Sequence, residues 1–187
     1  QKDVDQRKDI IGGLWVMPVK GLRIGAFGWT GSYARKGTWN ATDANHKPVL
    51  DEDGNNVVES GVRSLSKNRY AFSAEYAAND WTFRSEYIHS QGYGFKTTYK
   101  TGKETDCNIN YAAGDKADGF YALMIAPVIS KKLYAKARCD MYRPTAEWNK
   151  AKTNYEIGAN YWIGKSIMIT AEYVRVNDRS LNKPNYN

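Results

Sequence analysis

The chain has 187 residues, 42% apolar and 25% charged, with mean hydropathy −0.67 and 27 basic against 20 acidic residues, a net charge of +7. The longest uncharged runs, such as 119–130, stop near a dozen residues, whereas a membrane-spanning helix needs about 20, so no such helix is expected. With 14 Tyr, 6 Trp, 5 Phe and 16 Gly, the composition is one of strands and turns rather than of a disordered chain, and the length suits a single domain.

In chain order the apolar period is two rather than 3.6, which marks strands. Candidate strands fall at 10–18 and 22–33, split by the turn Val19-Lys20-Gly21. A long polar stretch, 34–67, leads to strands at 68–77 and 81–90, joined at Ala78-Asn79-Asp80. A second polar stretch, 91–118, precedes strands at 120–129 and 133–143 around Ser130-Lys131-Lys132. A medium loop, 144–152, leads to strands at 153–163 and 167–176, joined by Gly164-Lys165-Ser166, and 177–187 is a polar tail.

The connections alternate between short and long, so an antiparallel meander would carry every short turn at one end and every long loop at the other. A soluble sandwich has no reason to sort its loops, because both of its ends face water. An outer-membrane barrel has short periplasmic turns and longer outside loops. Strand lengths agree: most runs are nine to twelve residues, near the roughly 9–11 that a spanning strand needs.

Side chains alternate accordingly. Leu133, Ala135, Ala137, Cys139 and Met141 share one face, opposite Tyr134, Lys136, Arg138, Asp140 and Tyr142. Tyr155, Ile157, Ala159, Tyr161 and Ile163 oppose Glu156, Gly158, Asn160 and Trp162; Ile167, Ile169, Ala171 and Tyr173 oppose Met168, Thr170, Glu172 and Val174. Tyr70, Phe72, Ala74 and Tyr76 oppose Arg69, Ser73 and Glu75; Trp81, Phe83 and Tyr87 oppose Thr82, Arg84 and Glu86. Half of the apolar face is Ala, Gly or Ser, which fills a closed core poorly but suits contact with lipid tails. Tyr and Trp near strand ends (Trp15, Trp29, Tyr76, Trp81, Tyr142, Tyr155) stand where aromatic girdles belong. The expected fold is therefore all-β, an antiparallel up-and-down transmembrane β-barrel with about eight strands visible in 1–187.

The run Asp9-Ile10-Ile11-Gly12-Gly13-Leu14, followed by Pro18-Val19-Lys20-Gly21-Leu22-Arg23-Ile24-Gly25-Ala26, resembles paired strands of the phosphate-selective porin O/P family. So do Leu133-Tyr134-Ala135-Lys136-Ala137-Arg138-Cys139-Asp140 and Tyr155-Glu156-Ile157-Gly158-Ala159-Asn160-Tyr161-Trp162, and 167–177 resembles a penultimate strand of such porins in the style of Bacteroides-like bacteria. The resemblance covers most strands and no loop, through patterns that many barrels share. It implies a 16-stranded barrel in the bacterial outer membrane, commonly a homotrimer, that passes small anions. This chain has eight strands and ends at Asn185-Tyr186-Asn187 without a terminal aromatic. Two expectations stand side by side: the C-terminal half of a larger porin lacking its last strand, or a small eight-stranded barrel plugged by its own side chains.

The expected pore-lining charges are Arg23, Arg69, Glu75, Arg84, Glu86, Lys136, Arg138, Asp140, Glu156 and Glu172. Anion selection wants basic rings or ladders; Lys136 with Arg138 is the one basic pair on a single face, extended by Arg84. Because the signs alternate, ion pairs across the wall to Glu86, Asp140 or Glu156 compete with that role. No phosphate-binding arginine of the family can be matched to a position here. The expected function is passive diffusion of small anionic or neutral solutes, with outer-membrane lipid as the other partner.

Other chemistry is set aside. Asp51-Glu52-Asp53-Gly54-Asn55-Asn56 begins like a calcium loop but has Asn56 and Val62 where Gly and Glu are required. Thr101-Gly102-Lys103 lacks the upstream Gly of a phosphate loop. His46 and His89 have no metal-ligand spacing and read as surface residues. Cys107 and Cys139 read as two free thiols. No catalytic residue, metal or cofactor is expected, and the basic residues scatter without a nucleic-acid platform. The alternatives are a soluble all-β carbohydrate-binding module, stacking sugars on Trp39, Tyr93, Phe95 or Trp148, and a small closed barrel that anchors or adheres through its outside loops.

Overall fold

The computed structural model describes residues 7–97 and 106–181. Its strands are β1 (Ile10–Val19), β2 (Leu22–Asn40), β3 (Val58–Ala78), β4 (Trp81–Gln91), β5 (Lys116–Ile129), β6 (Leu133–Arg143), β7 (Lys152–Ile163) and β8 (Ile167–Asp178). They form one eight-stranded antiparallel meander in which each strand lies beside its neighbour in sequence. The sheet is not closed into a barrel: β1 and β8 are its edges. The expectation of a small self-closed barrel is corrected by those open edges, since closure requires the first and last strands to pair. No helix among the described residues is long and apolar enough to cross a membrane.

The short turns are hairpins that use the left-handed backbone such turns require. Asn79 and Asp80 both have positive φ (51° and 66°), and Gly21, Lys131 and Gly164 supply it at the other three (85°, 60° and 66°). At the opposite end β2 and β3 outrun the alternation, reaching Asn40 and starting at Val58. The stretch expected to be loop from 34 to 67 is therefore half strand, with a true connection of 41–57. Pairing follows from backbone hydrogen bonds, which do not depend on side chains alternating in polarity.

The chain comprises two compact units. One contains Trp29–Asn68 and Gln91–Lys116. Its small core is Leu65, Phe95 and Cys107, flanked by Tyr33, Trp39 and Ile109. Loop segments there are tied by Cys107 N–H donating to Thr38 O (2.8 Å) and by Lys96 and Asn110 N–H donating to Asn108 O and Gly94 O (2.7 and 2.8 Å). The 41–57 connection is itself laddered, with Val49 N–H on Ala41 O and Val57 N–H on Val49 O.

The other unit contains Ile11–Gly28, Arg69–Ser90 and Ala117–Asn187. Apart from a bulge between Pro127 and Ile129, its register is regular from β5 to β8: Met124, Ala137, Ile157 and Tyr173 stand in one row, and Ala126, Ala135, Ala159 and Ala171 in another. These rows are the apolar face, and they are open: Met124 is 44% exposed, Ile157 64% and Tyr173 58%. A soluble sheet covers such a face, because each fully buried Ile or Val contributes about 1.5–3 kcal/mol.

Candidate functional site

The polar face of the second unit carries the expected charges, and Arg23, Arg84, Lys136 and Arg138 reach carboxylates. Lys136 stands opposite Gly158, and Gly158 opposite Glu172. With no side chain between them, Lys136 Nζ crosses β7 to donate to Glu172 Oε1 at 2.5 Å and lies 3.7 Å from Glu156. A Cβ at Gly158 would fall 2.5 Å from Ala171 O and 2.9 Å from Glu172 Cγ, so the glycine is what leaves the route open.

Arg138 is opposite Glu156 in register but turns along its own strand. Its Nε and Nη2 donate to Asp140 Oδ2 and Oδ1 at 2.8 Å each, a bidentate pair, and its guanidinium lies 5.5 Å from the centre of the Tyr121 ring. Glu75 accepts from both Arg23 (3.1 Å) and Arg84 (3.3 Å). Arg23 also lies over the Trp15 ring at 4.8 Å, a ring packed against Gly25. Arg69 is engaged as well. Glu86 has no hydrogen bond or ion pair among the described residues. The structure thus brings Lys136, Glu156 and Glu172 together, joins Arg138 to Asp140 and Arg84 to Glu75, and leaves Glu86 apart. The basic trio of Arg84, Lys136 and Arg138 is not a ladder of open cations.

A cluster that sequence reasoning missed sits at the long-loop end of the apolar face. Asp118 faces Arg143 in register, and the Asp118 side chain is only 2% exposed. Arg143 Nε donates to Asp118 Oδ1 at 2.7 Å and Nη2 to Oδ2. Tyr87 donates its hydroxyl to the same carboxylate (3.3 Å), and the Arg143 guanidinium lies 4.4 Å above Trp148. His89, read as a surface residue, is instead sheltered: its ring stacks on Tyr70 (5.0 Å), and Nδ1 is 3.9 Å from Asp118 and has no hydrogen-bond partner. Counting back from the turn at Ser130–Lys132 would have set Gly119 opposite Arg143; a bulge between Pro127 and Ile129 shifts the register by one residue and brings Asp118 there instead.

In the first unit Arg35 is buried between Tyr33, whose hydroxyl accepts from its Nε and Nη2 at 2.9 and 2.6 Å, and the Phe95 ring at 4.7 Å. Arg63 donates to Cys107 O (3.2 Å) and lies over Trp39. Both cysteines are free. Burial pushes the Cys107 thiol above its ordinary range, with the Arg35 and Arg63 guanidiniums opposing the shift. The aromatics proposed for sugar stacking have other work: Phe95 is core, and the Trp39 indole donates to Glu59 at 2.6 Å. The Asp51 carboxylate is taken up by the N–H groups of Asp53 and Asn55 (3.0 and 2.7 Å), an Asx turn closing a small hairpin. Thr101-Gly102-Lys103 lies outside the described residues.

Comparison with protein-family models, with curated proteins and with solved structures found no match.

Proposed function

We propose that this chain forms part of the wall of an outer-membrane porin, through which small hydrophilic solutes diffuse passively. One observation carries the reading: the face with the apolar rows is the more open one, whereas the face with charges at mid-strand is drawn together by ion pairs. A water-soluble sheet reverses that arrangement; a membrane wall needs it, with lipid on the apolar side and water on the other. The open edges at β1 and β8 then call for further strands to complete the barrel, as the resemblance to the phosphate-selective porins implies.

Selectivity under this reading is weak. A pore that favours anions presents unneutralised basic groups, and here Lys136, Arg138 and Arg84 each answer a carboxylate. Phosphate preference therefore has less support from the geometry than general diffusion. The bacterial outer membrane as location and the homotrimer belong to the same proposal; light scattering of the detergent-solubilised protein tests the trimer.

The deciding experiment is single-channel recording of the natural full-length product in a planar bilayer under a salt gradient. Stepwise conductance with a reversal potential near zero is expected. A detergent-dependent protein that never conducts refutes the pore, and one that is soluble without detergent refutes the membrane reading altogether.

A further inference from the structure

The polar face of the second unit contains a hollow of about 470 Å³ near the long-loop end of β5–β8, within the size range of small-molecule sites. We propose that it is a binding subsite for a neutral saccharide of two or three rings. The inference rests on the pore reading to the extent that this face must meet water.

The hollow exists because β5 carries Gly119 opposite Tyr142, which leaves one position of the wall without a side chain. Three aromatic residues border it, Phe120, Tyr121 and Tyr142; Phe120 stands in register with Met141 on the apolar face, and Tyr142 is 52% exposed. One face of Tyr121 is already covered by the Arg138 guanidinium, so Tyr142 is the ring available for stacking. Around the rings stand Glu86, Asp140, Lys152 and Asn154.

The state of those polar groups selects the ligand. Asp140 is neutralised by Arg138, and Lys152 by Asp178 at 2.8 Å, so neither offers a full charge. Glu86, with no partner among the described residues, repels an anion. A simple cation would be served by acceptors alone. This hollow offers donors as well, in the Asn154 amide, the Lys152 ammonium and the two phenols. Vicinal hydroxyls need donors and acceptors together with an apolar ring face, which is the set present.

Maltotriose is the probe, titrated by calorimetry into the detergent-solubilised full-length protein, with inorganic phosphate and spermine as comparison ligands. Maltotriose is expected to bind and phosphate not to. Glu86→Gln should weaken binding about tenfold, and Gly119→Leu should abolish it by filling the hollow. A Cβ at Gly119 meets nothing closer than Met141 O at 3.6 Å, so that variant is expected to fold, which far-UV circular dichroism checks. Folded protein that ignores maltotriose, that binds it undiminished in both variants, or that binds spermine in its place overturns the subsite. Saccharide binding by a protein that never conducts would overturn the diffusion pore and leave the subsite standing; conductance without binding would do the reverse.

Discussion

An arginine placed on the apolar face of β6 separates a lipid-facing wall from a sheet surrounded by water. Ala137 lies four residues from Leu133, the first residue of β6. At about 3.3 Å per residue and about 45° of tilt, that is roughly 9 Å along the membrane normal. The apolar band of such barrels is about 25 Å tall, so Ala137 falls within about 4 Å of its middle. In register it meets Met124 and Ile157, with Tyr173 beyond, and no carboxylate occupies that row. Ala137→Arg should therefore cost about 2–4 kcal/mol. The control is Asn160→Arg on the polar face of β7, where the loss is the hydrogen bond from Thr170 Oγ1 (3.1 Å), about 1 kcal/mol. Urea unfolding of the lipid-reconstituted protein, followed by tryptophan fluorescence, should show the alanine variant less stable than the asparagine variant by at least about 1 kcal/mol. Equal costs, both within about 0.5 kcal/mol of zero as for ordinary surface substitutions, would refute the lipid-facing assignment.

Two further outcomes follow from the ion pairs. Lys136→Glu would set three carboxylates together where Glu156 and Glu172 now share one ammonium, and adding Arg138→Glu removes the partner of Asp140. Reversal potentials should move toward cation preference, and unchanged values would take this face out of the conduction path. Arg143→Ala would leave the almost fully buried Asp118 with Tyr87 as its remaining donor. A loss of about 3 kcal/mol is expected, at the low end for a broken buried pair. Asp118→Asn combined with Arg143→Met should recover part of it in a thermal melt, and a double variant no better than the single one would show that the pair is not what holds these strands.

Legibility in the sequence followed the environment of each strand. Within β6 and β7 polarity changes side along the strand, so their ends could be read almost to the residue. Beyond Tyr33 in β2 and before Asn68 in β3 the strands continue with Arg35, Lys36, Thr38, Glu59 and Arg63, where no dry face imposes alternation and pairing leaves no trace in side-chain pattern. The charged face was legible as a set of positions but not as a set of partners. Arg138 is opposite Glu156 yet binds Asp140, and Lys136 passes its nearest neighbour for Glu172, because Gly158 clears a path that no periodicity announces.

The net charge of +7 is best understood from where the positive residues are. The expected wall residues hold five basic and five acidic groups, and the contacts between them are short enough to cancel locally, so the wall contributes little to the excess. Lys20, Lys131, Lys132 and Lys165 instead occupy three of the four short turns, with Asp80 in the remaining one. A solute at mid-wall meets alternating charges that are mostly paired, with Glu86 apart, whereas one approaching the short-turn end meets an excess of lysines. Any anion bias in this reading is thus a property of the entrance, where salt screens it over about 8–10 Å. It should fade as ionic strength rises, while an effect built into the wall would persist.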